Sequence, residues 1–179
     1  MKQIIFATGN AGKMKEIREI LDGTGWNVLS LKDAGIDTEI EENGTTLEEN
    51  AKIKAEGIRN WCLENGIPGC SRISAKEIIV LADDSGLEID WLGGEPGIYS
   101  ARYMGHETSY REKNANLISR LDGVPKEKRT ARFVCAIAAA LSDGNSLVTR
   151  GTIEGYIGWE ECGSNGFGYD PIFYLYEND

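Results

Sequence analysis

The sequence predicts an α/β fold on a mixed β-sheet, parallel in its first part and antiparallel in its last. Three patterns carry this expectation. Short apolar runs alternate with amphipathic helical stretches through the first half. A strand, a polar glycine turn and a helix open the chain. Two long apolar or alternating runs near the end are joined by Asp143-Gly144, a hairpin signal. At 179 residues the chain suits a single domain spanning 1–179, and no repeat, linker or low-complexity stretch divides it.

The elements follow in order. Residues 2–7 (KQIIFA) form a short buried strand that Thr8-Gly9-Asn10 ends. Met14, Ile17 and Leu21 recur at helical spacing until Gly23 closes the helix. A second strand covers 27–31, and an acidic loop covers 39–44. Thr45 and Thr46 each stand three residues before a glutamate, Glu48 and Glu49, a doubled capping-box pattern. It opens a helix whose apolar stripe is Leu47, Ala51, Ala55, Ile58 and Cys62. Glycines and a proline at 66–69 break that helix, and 71–76 reads as an exposed loop.

A buried strand over 77–82 (EIIVLA) runs into Asp83-Asp84-Ser85-Gly86, and the pattern resumes with Leu87, Ile89 and Trp91. Ser109-x-x-Glu112 caps a helix carrying Leu117, Ile118 and Leu121, which Asp122-Gly123 ends. The run 130–141 is small and apolar, so it is expected to be buried on both faces, while 146–157 alternates. Trp61 and Trp91 sit in apolar patterns and are expected in the core.

Composition narrows the function. Against 29 Asp+Glu stand 19 Lys+Arg, a net charge of -10. That excludes general duplex binding, which needs a basic face, but admits a phosphorylated small molecule if a metal or local cations offset the field. The longest apolar runs, such as 136–141, fall far short of the ~20 residues of a membrane span. The apolar start at 4–7 is too short for a signal peptide, so a soluble, cytoplasmic protein is expected. Cys62, Cys70, Cys135 and Cys162 form no CxxC pair, so buried free thiols are expected rather than zinc or redox chemistry. His106 is the one histidine, and no Gly-x-Ser-x-Gly elbow accompanies it.

Four clusters could carry chemistry, and each has a plainer alternative. Thr8-Gly9-Asn10-Ala11-Gly12-Lys13 offers backbone N–H groups, close approach and a lysine to a phosphate chain. It lacks the P-loop spacing, and its plain alternative is a strand-to-helix turn. Glu41 and Glu42 repel one another in a way a divalent cation would relieve, although acidic loops are commonly just solvated. Asp83 and Asp84 leave a very apolar strand, where burying carboxylates needs a metal, a cation or N–H donors; an Asx turn is the alternative. The segment 163–171 (GSNGFGYDP) could stack on and hydrogen-bond a heterocyclic base, or plug the core with its aromatics.

Taken together, ATGNAGKMKE, EIEENGTTLEENAKIKA, LADDSGLEID, LGGEPGIYSARY and GFGYDPIF resemble the inosine/xanthosine triphosphate pyrophosphatases. These are also called non-standard purine NTP pyrophosphatases or dITP/XTP diphosphatases. The segments lie in family order from residue 4 to 173. The resemblance implies Mg2+-dependent hydrolysis of dITP, ITP and XTP to the monophosphate and pyrophosphate by a homodimer. It also implies an elongated mixed sheet with flanking helices and two lobes around a central cleft. On this resemblance Thr8, Gly9, Asn10, Ala11, Gly12 and Lys13 hold the triphosphate, and Lys54 is a further phosphate contact. Glu41, or its neighbour Glu42, and Asp84 bind metal; Asp84 is also the general base and Ser85 a substrate contact. Phe167, Gly168, Tyr169 and Asp170 hold the base.

Family members continue past GFGYDPIF with a Ser-His-Arg motif that reads the purine 6-oxo group, a motif absent from this sequence. Relaxed base selection is the expected consequence. The alternatives are a nucleotide-binding homologue with little turnover, or a Maf-like pyrophosphatase of pyrimidine triphosphates.

Overall fold

A computed structural model of the chain describes residues 2–70 and 77–176. Strands β1 (Lys2–Phe6), β2 (Trp26–Ser30), β3 (Ile79–Ile89), β4 (Thr130–Ala140), β5 (Ser146–Ile157) and β6 (Phe173–Leu175) form one sheet. Their order is β2-β1-β3-β4-β5-β6. β1 pairs in parallel with β2 and β3, whereas β5 and β6 are antiparallel, so the sheet is mixed as expected. Helices α1 (Ala11–Ile20), α2 (Leu47–Asn65) and α3 (Tyr110–Arg120) flank it. Among the described residues, no helix is long and apolar enough to cross a membrane.

The chain forms two compact units, one of Met1–Asp84 with Ala136–Arg150 and one of Ser85–Cys135 with Gly151–Asp179. In the first, β1 lies between two parallel neighbours and buries Ile4, Ile5 and Phe6, with Ala7 buried just beyond it, which is why the segment reads as an unbroken apolar run. α1 sets Met14 and Ile17 against Phe6 and Val28. Thr46 Oγ1 accepts the Glu49 N–H, while the Glu49 carboxylate reaches back to Thr45, so the two threonines share the cap of α2. α2 buries Leu47, Asn50, Ala51, Ala55, Ile58 and Cys62. Full burial of a side chain such as Ile58 contributes about 1.5–3 kcal/mol.

In the second unit the core is Leu87, Ile89, Leu117, Leu121, Val124, Ala131, Ile157, Tyr169 and Ile172. α3 opens on a complete Ser109–Glu112 capping box. Arg129 is fully buried; it donates to the carbonyls of Leu121, Ile157 and Gly158, and its guanidinium lies 4.8 Å from the centre of the Trp159 ring.

Several expectations are corrected. β3 runs unbroken through Asp83-Asp84-Ser85-Gly86 instead of ending there. A Cβ at Gly86 would meet the Gly97 carbonyl oxygen at 2.3 Å, and the Leu87 N–H donates to Ser100 Oγ. The glycine therefore marks a close backbone approach and not a turn. β4 alternates between buried and half-buried residues, so only one of its faces is sealed. β5 alternates in composition but not in exposure, since residues 147–154 are all exposed. Trp91 is half exposed, with Lys128 Nζ 5.5 Å above its ring. Cys62 is buried, which pushes its thiol up to about 11, but Cys135 is half-buried and Cys162 exposed. The loop expected at 71–76 lies outside the described residues.

Candidate active site

In the first unit, Lys13, Glu42 and Lys54 gather around β3 at Asp83 and Asp84. Lys13, in the first turn of α1, pairs with the carboxylate of Asp83, which is only 4% exposed. Lys54 of α2 donates to the Asp83 backbone carbonyl at 3.0 Å and pairs with Glu42 at 2.9 Å. Two lysines thus converge on one buried aspartate.

Asp84, half-buried, is held from α2. The Gly44 N–H donates to Asn50 Oδ1 at 2.9 Å, and Asn50 Nδ2 donates to Asp84 Oδ2 at 3.0 Å. The first bond fixes the amide, so its NH2 end must face the carboxylate. Position 44 needs glycine, because a Cβ there would lie 2.7 Å from Asn50 Oδ1. Burial is the main cause that raises the Asp84 pKa above the ordinary carboxylate value; the Asn50 hydrogen bond lowers it, the Glu42 charge raises it, and Lys54 and Lys13 lower it. A half-buried carboxylate with a raised pKa beside two cations suits a group that takes a proton.

The glycine turn differs from the sequence expectation in one respect. Asn10 Oδ1 accepts the N–H groups of both Gly12 and Lys13, and the Asn10 N–H donates to Thr8 Oγ1. The first-turn donors expected to await phosphate are therefore capped by a side chain. Beside Gly9 there is open space.

In the second unit, Ser85 lies within β3 directly after Asp84 and is half-buried. Phe167 is 41% exposed, and its N–H donates to Asp170 Oδ2 at 2.8 Å. Gly166 and Gly168 bracket it with φ of +83° and +65°, which favours glycine at both. Tyr169 is buried; its hydroxyl donates to the Ser100 carbonyl at 2.7 Å, and burial pushes its phenol up. The exposed aromatic face of this segment is Phe167, and Tyr169 offers only its backbone.

Contacts thus join Lys13, Glu42, Lys54, Asp83 and Asp84, while Glu41 is exposed and makes none of these contacts. Asn50 is the site residue that pattern reading misses, whereas Asp83 belongs to the carboxylate pair singled out from the sequence and takes Lys13 as its compensating cation. A polar Asn inside the apolar stripe of α2 was the available signal.

Among the described residues, no cluster of three or more His, Cys, Asp or Glu could hold a metal alone. Mg2+ does not need one, since it commonly uses one or two carboxylates with water and substrate phosphates. Asp84, whose charge is destabilised by burial and by Glu42, fits that chemistry.

Residues 4–179 match the profile of the Ham1 family. The chain belongs to the Ham1 family. A dITP/XTP pyrophosphatase of Bacillus licheniformis is 46% identical over 179 residues, which is 100% of this chain and 84% of that one. The Bacillus subtilis protein of the same name is 45% identical over 100% of this chain and 83% of its own. Among solved structures, the Staphylococcus aureus Ham1 protein superposes with a TM-score of 0.79 at 37% identity, covering 97% of this chain and 81% of that one. A Coxiella burnetii HAM1 protein gives a TM-score of 0.79 at 34% identity, over 98% of this chain and 82% of its own. The Ham1 match spans both units, so the β3 carboxylates and the Phe167 segment both lie within it.

Proposed function

We propose that this Ham1 protein hydrolyses non-standard purine nucleoside triphosphates (dITP, ITP and XTP) to the monophosphate and pyrophosphate, clearing them from the nucleotide pool. The observation that carries the reading is Asp84, oriented by Asn50 and set beside Lys13 and Lys54, in a chain 46% identical to a dITP/XTP pyrophosphatase.

The residues divide the work. Lys13 and Lys54 offset the triphosphate charge in a protein of net charge -10. Lys13 must exchange Asp83 for phosphate, so the ion pair keeps it in place until substrate arrives. Asn10 releases the N–H groups of Gly12 and Lys13 to a phosphate oxygen, within the loop formed by Thr8, Gly9, Asn10, Ala11, Gly12 and Lys13. Asp84 orients a water on the α-phosphorus and takes its proton; the new bond joins that oxygen to the α-phosphorus, and pyrophosphate leaves with the bridging oxygen. Ser85 contacts the substrate beside Asp84. Phe167 stacks on the purine, and Gly168, Tyr169 and Asp170 line it through backbone groups and the Asp170 carboxylate.

Glu42 is engaged by Lys54, so Asp84 and Glu41 are the residues that would hold Mg2+. When bound, the ion neutralises phosphate charge. A homodimer and a cytoplasmic location belong to the same proposal; light scattering giving twice the 19.6 kDa chain mass supports the dimer, and a monomer mass removes it.

The test is pyrophosphate release from dITP, XTP, dGTP, dTTP and ATP with Mg2+, using Asp84→Asn as the blank. Release from dITP and XTP that the variant loses supports the reading. A folded protein that turns over none of them, or only dTTP, overturns it.

A further inference from the structure

Asn114 lies on α3, is 1% exposed, and serves none of the roles above. Its Nδ2 donates to Glu161 Oε1 at 2.9 Å and to the Gly168 carbonyl at 3.3 Å. Both partners are acceptors, so the amide cannot be turned round. Its Oδ1 is the one buried side-chain oxygen or nitrogen without a hydrogen-bond partner among the described residues. Such an orphan is costly, and a residue that leaves one behind is tied to something worth more.

What it is tied to is the segment around Phe167. Tyr110, one helical turn earlier on α3, lies against Gly168, where a Cβ would be 3.5 Å from its ring, and meets Tyr169 edge-on with centroids 5.2 Å apart. Lys113, also buried, donates to the Ala101 carbonyl at 2.8 Å, next to the Ser100 carbonyl that takes the Tyr169 hydroxyl. One face of α3 thus carries both the 97–102 turn and the 167–170 segment. Gly168, with φ of +65°, immediately follows the exposed Phe167, so its carbonyl is the point at which the backbone beside that ring is pinned.

We propose that Asn114 is a positioning residue for base recognition: by clamping the Gly168 carbonyl it fixes the Phe167 ring without touching substrate. The inference rests on the assignment of Phe167 to the base in the proposed function. Asn114→Asp sets a carboxylate against two acceptors, and Asn114→Ala removes the clamp. Glu161→Ala acts at the exposed outer tether, where folding is not at stake.

The experiment measures kcat, KM and the dITP-to-dGTP ratio of kcat/KM for these variants, with Tm alongside. dITP affinity is also read by calorimetry without divalent metal, which needs no turnover. For the Asn114 variants KM and Kd are expected to rise about tenfold or more with kcat within about twofold, because a displaced ring weakens binding more than chemistry. Glu161→Ala is expected to show the same shift at about threefold. Unchanged KM, Kd and base ratio in every variant that folds, or a fall confined to kcat, overturns the proposal. Wild type that binds dITP without turnover contradicts the proposed activity and leaves the Kd comparison to decide this inference; wild type that neither binds dITP nor turns it over with Mg2+ contradicts both.

Discussion

The β3 carboxylate site and the Phe167 segment are built from opposite materials. Around Asp83 and Asp84, charges hold charges: Lys13 pairs with Asp83, Lys54 with Glu42, and an amide aims at Asp84. Around Phe167, backbone carbonyls are held by a buried tyrosine, asparagine and lysine, and the ring itself is exposed. The difference matches the tasks proposed for the two regions. A group that moves a proton and meets a polyanion needs a tuned field, whereas a ring that stacks on a base needs only a fixed place.

Variants that sharpen the contrast divide between chemistry and placement. The largest effect is expected from Asp84→Asn, which keeps the shape but cannot take the proton; kcat should fall by roughly a hundredfold to ten-thousandfold in a steady-state assay, with Tm held. Phe167→Ala removes stacking worth about 1–3 kcal/mol, so KM for dITP should rise roughly ten- to a hundredfold while kcat barely moves. A fall in kcat as large as that of Asp84→Asn would erase the division between the two regions.

Asn50→Leu is a subtler probe. Asn50 donates to the charged form of Asp84 and lowers its pKa, so losing it should raise that pKa further. The base must be ionised, so the acid limb of the kcat/KM profile should move to higher pH; a shift to lower pH breaks the assignment. The smallest effect is expected from Tyr169→Phe. It loses one buried hydrogen bond, about 1 kcal/mol, visible as a Tm a few degrees lower with KM raised only slightly.

How much of this was legible depended on the range of the contact. The capping residues Thr46 and Ser109 act on neighbours three residues away, so the spacing alone revealed them. Asp84 stood out because a carboxylate after so apolar a strand demands compensation. Gly86 misled, because a glycine that admits another backbone has the same composition signal as a turn. Asn50 and Asn114 were hidden in helical faces, since their partners lie 34 and 54 residues away. The Asn10 cap over Gly12 and Lys13 was readable in principle, since Asn before a helix is a cap before it is anything else.

The proposed reaction turns on water attacking the α-phosphorus under the control of Asp84. It is tested most directly by letting the protein hydrolyse dITP in heavy-oxygen water with Mg2+ and weighing both products. Attack on the α-phosphorus places the label in the monophosphate and leaves the pyrophosphate unlabelled, with labelled product from Asp84→Asn formed at least about a hundredfold more slowly. Label in the pyrophosphate, or a diphosphate with inorganic phosphate, would contradict it.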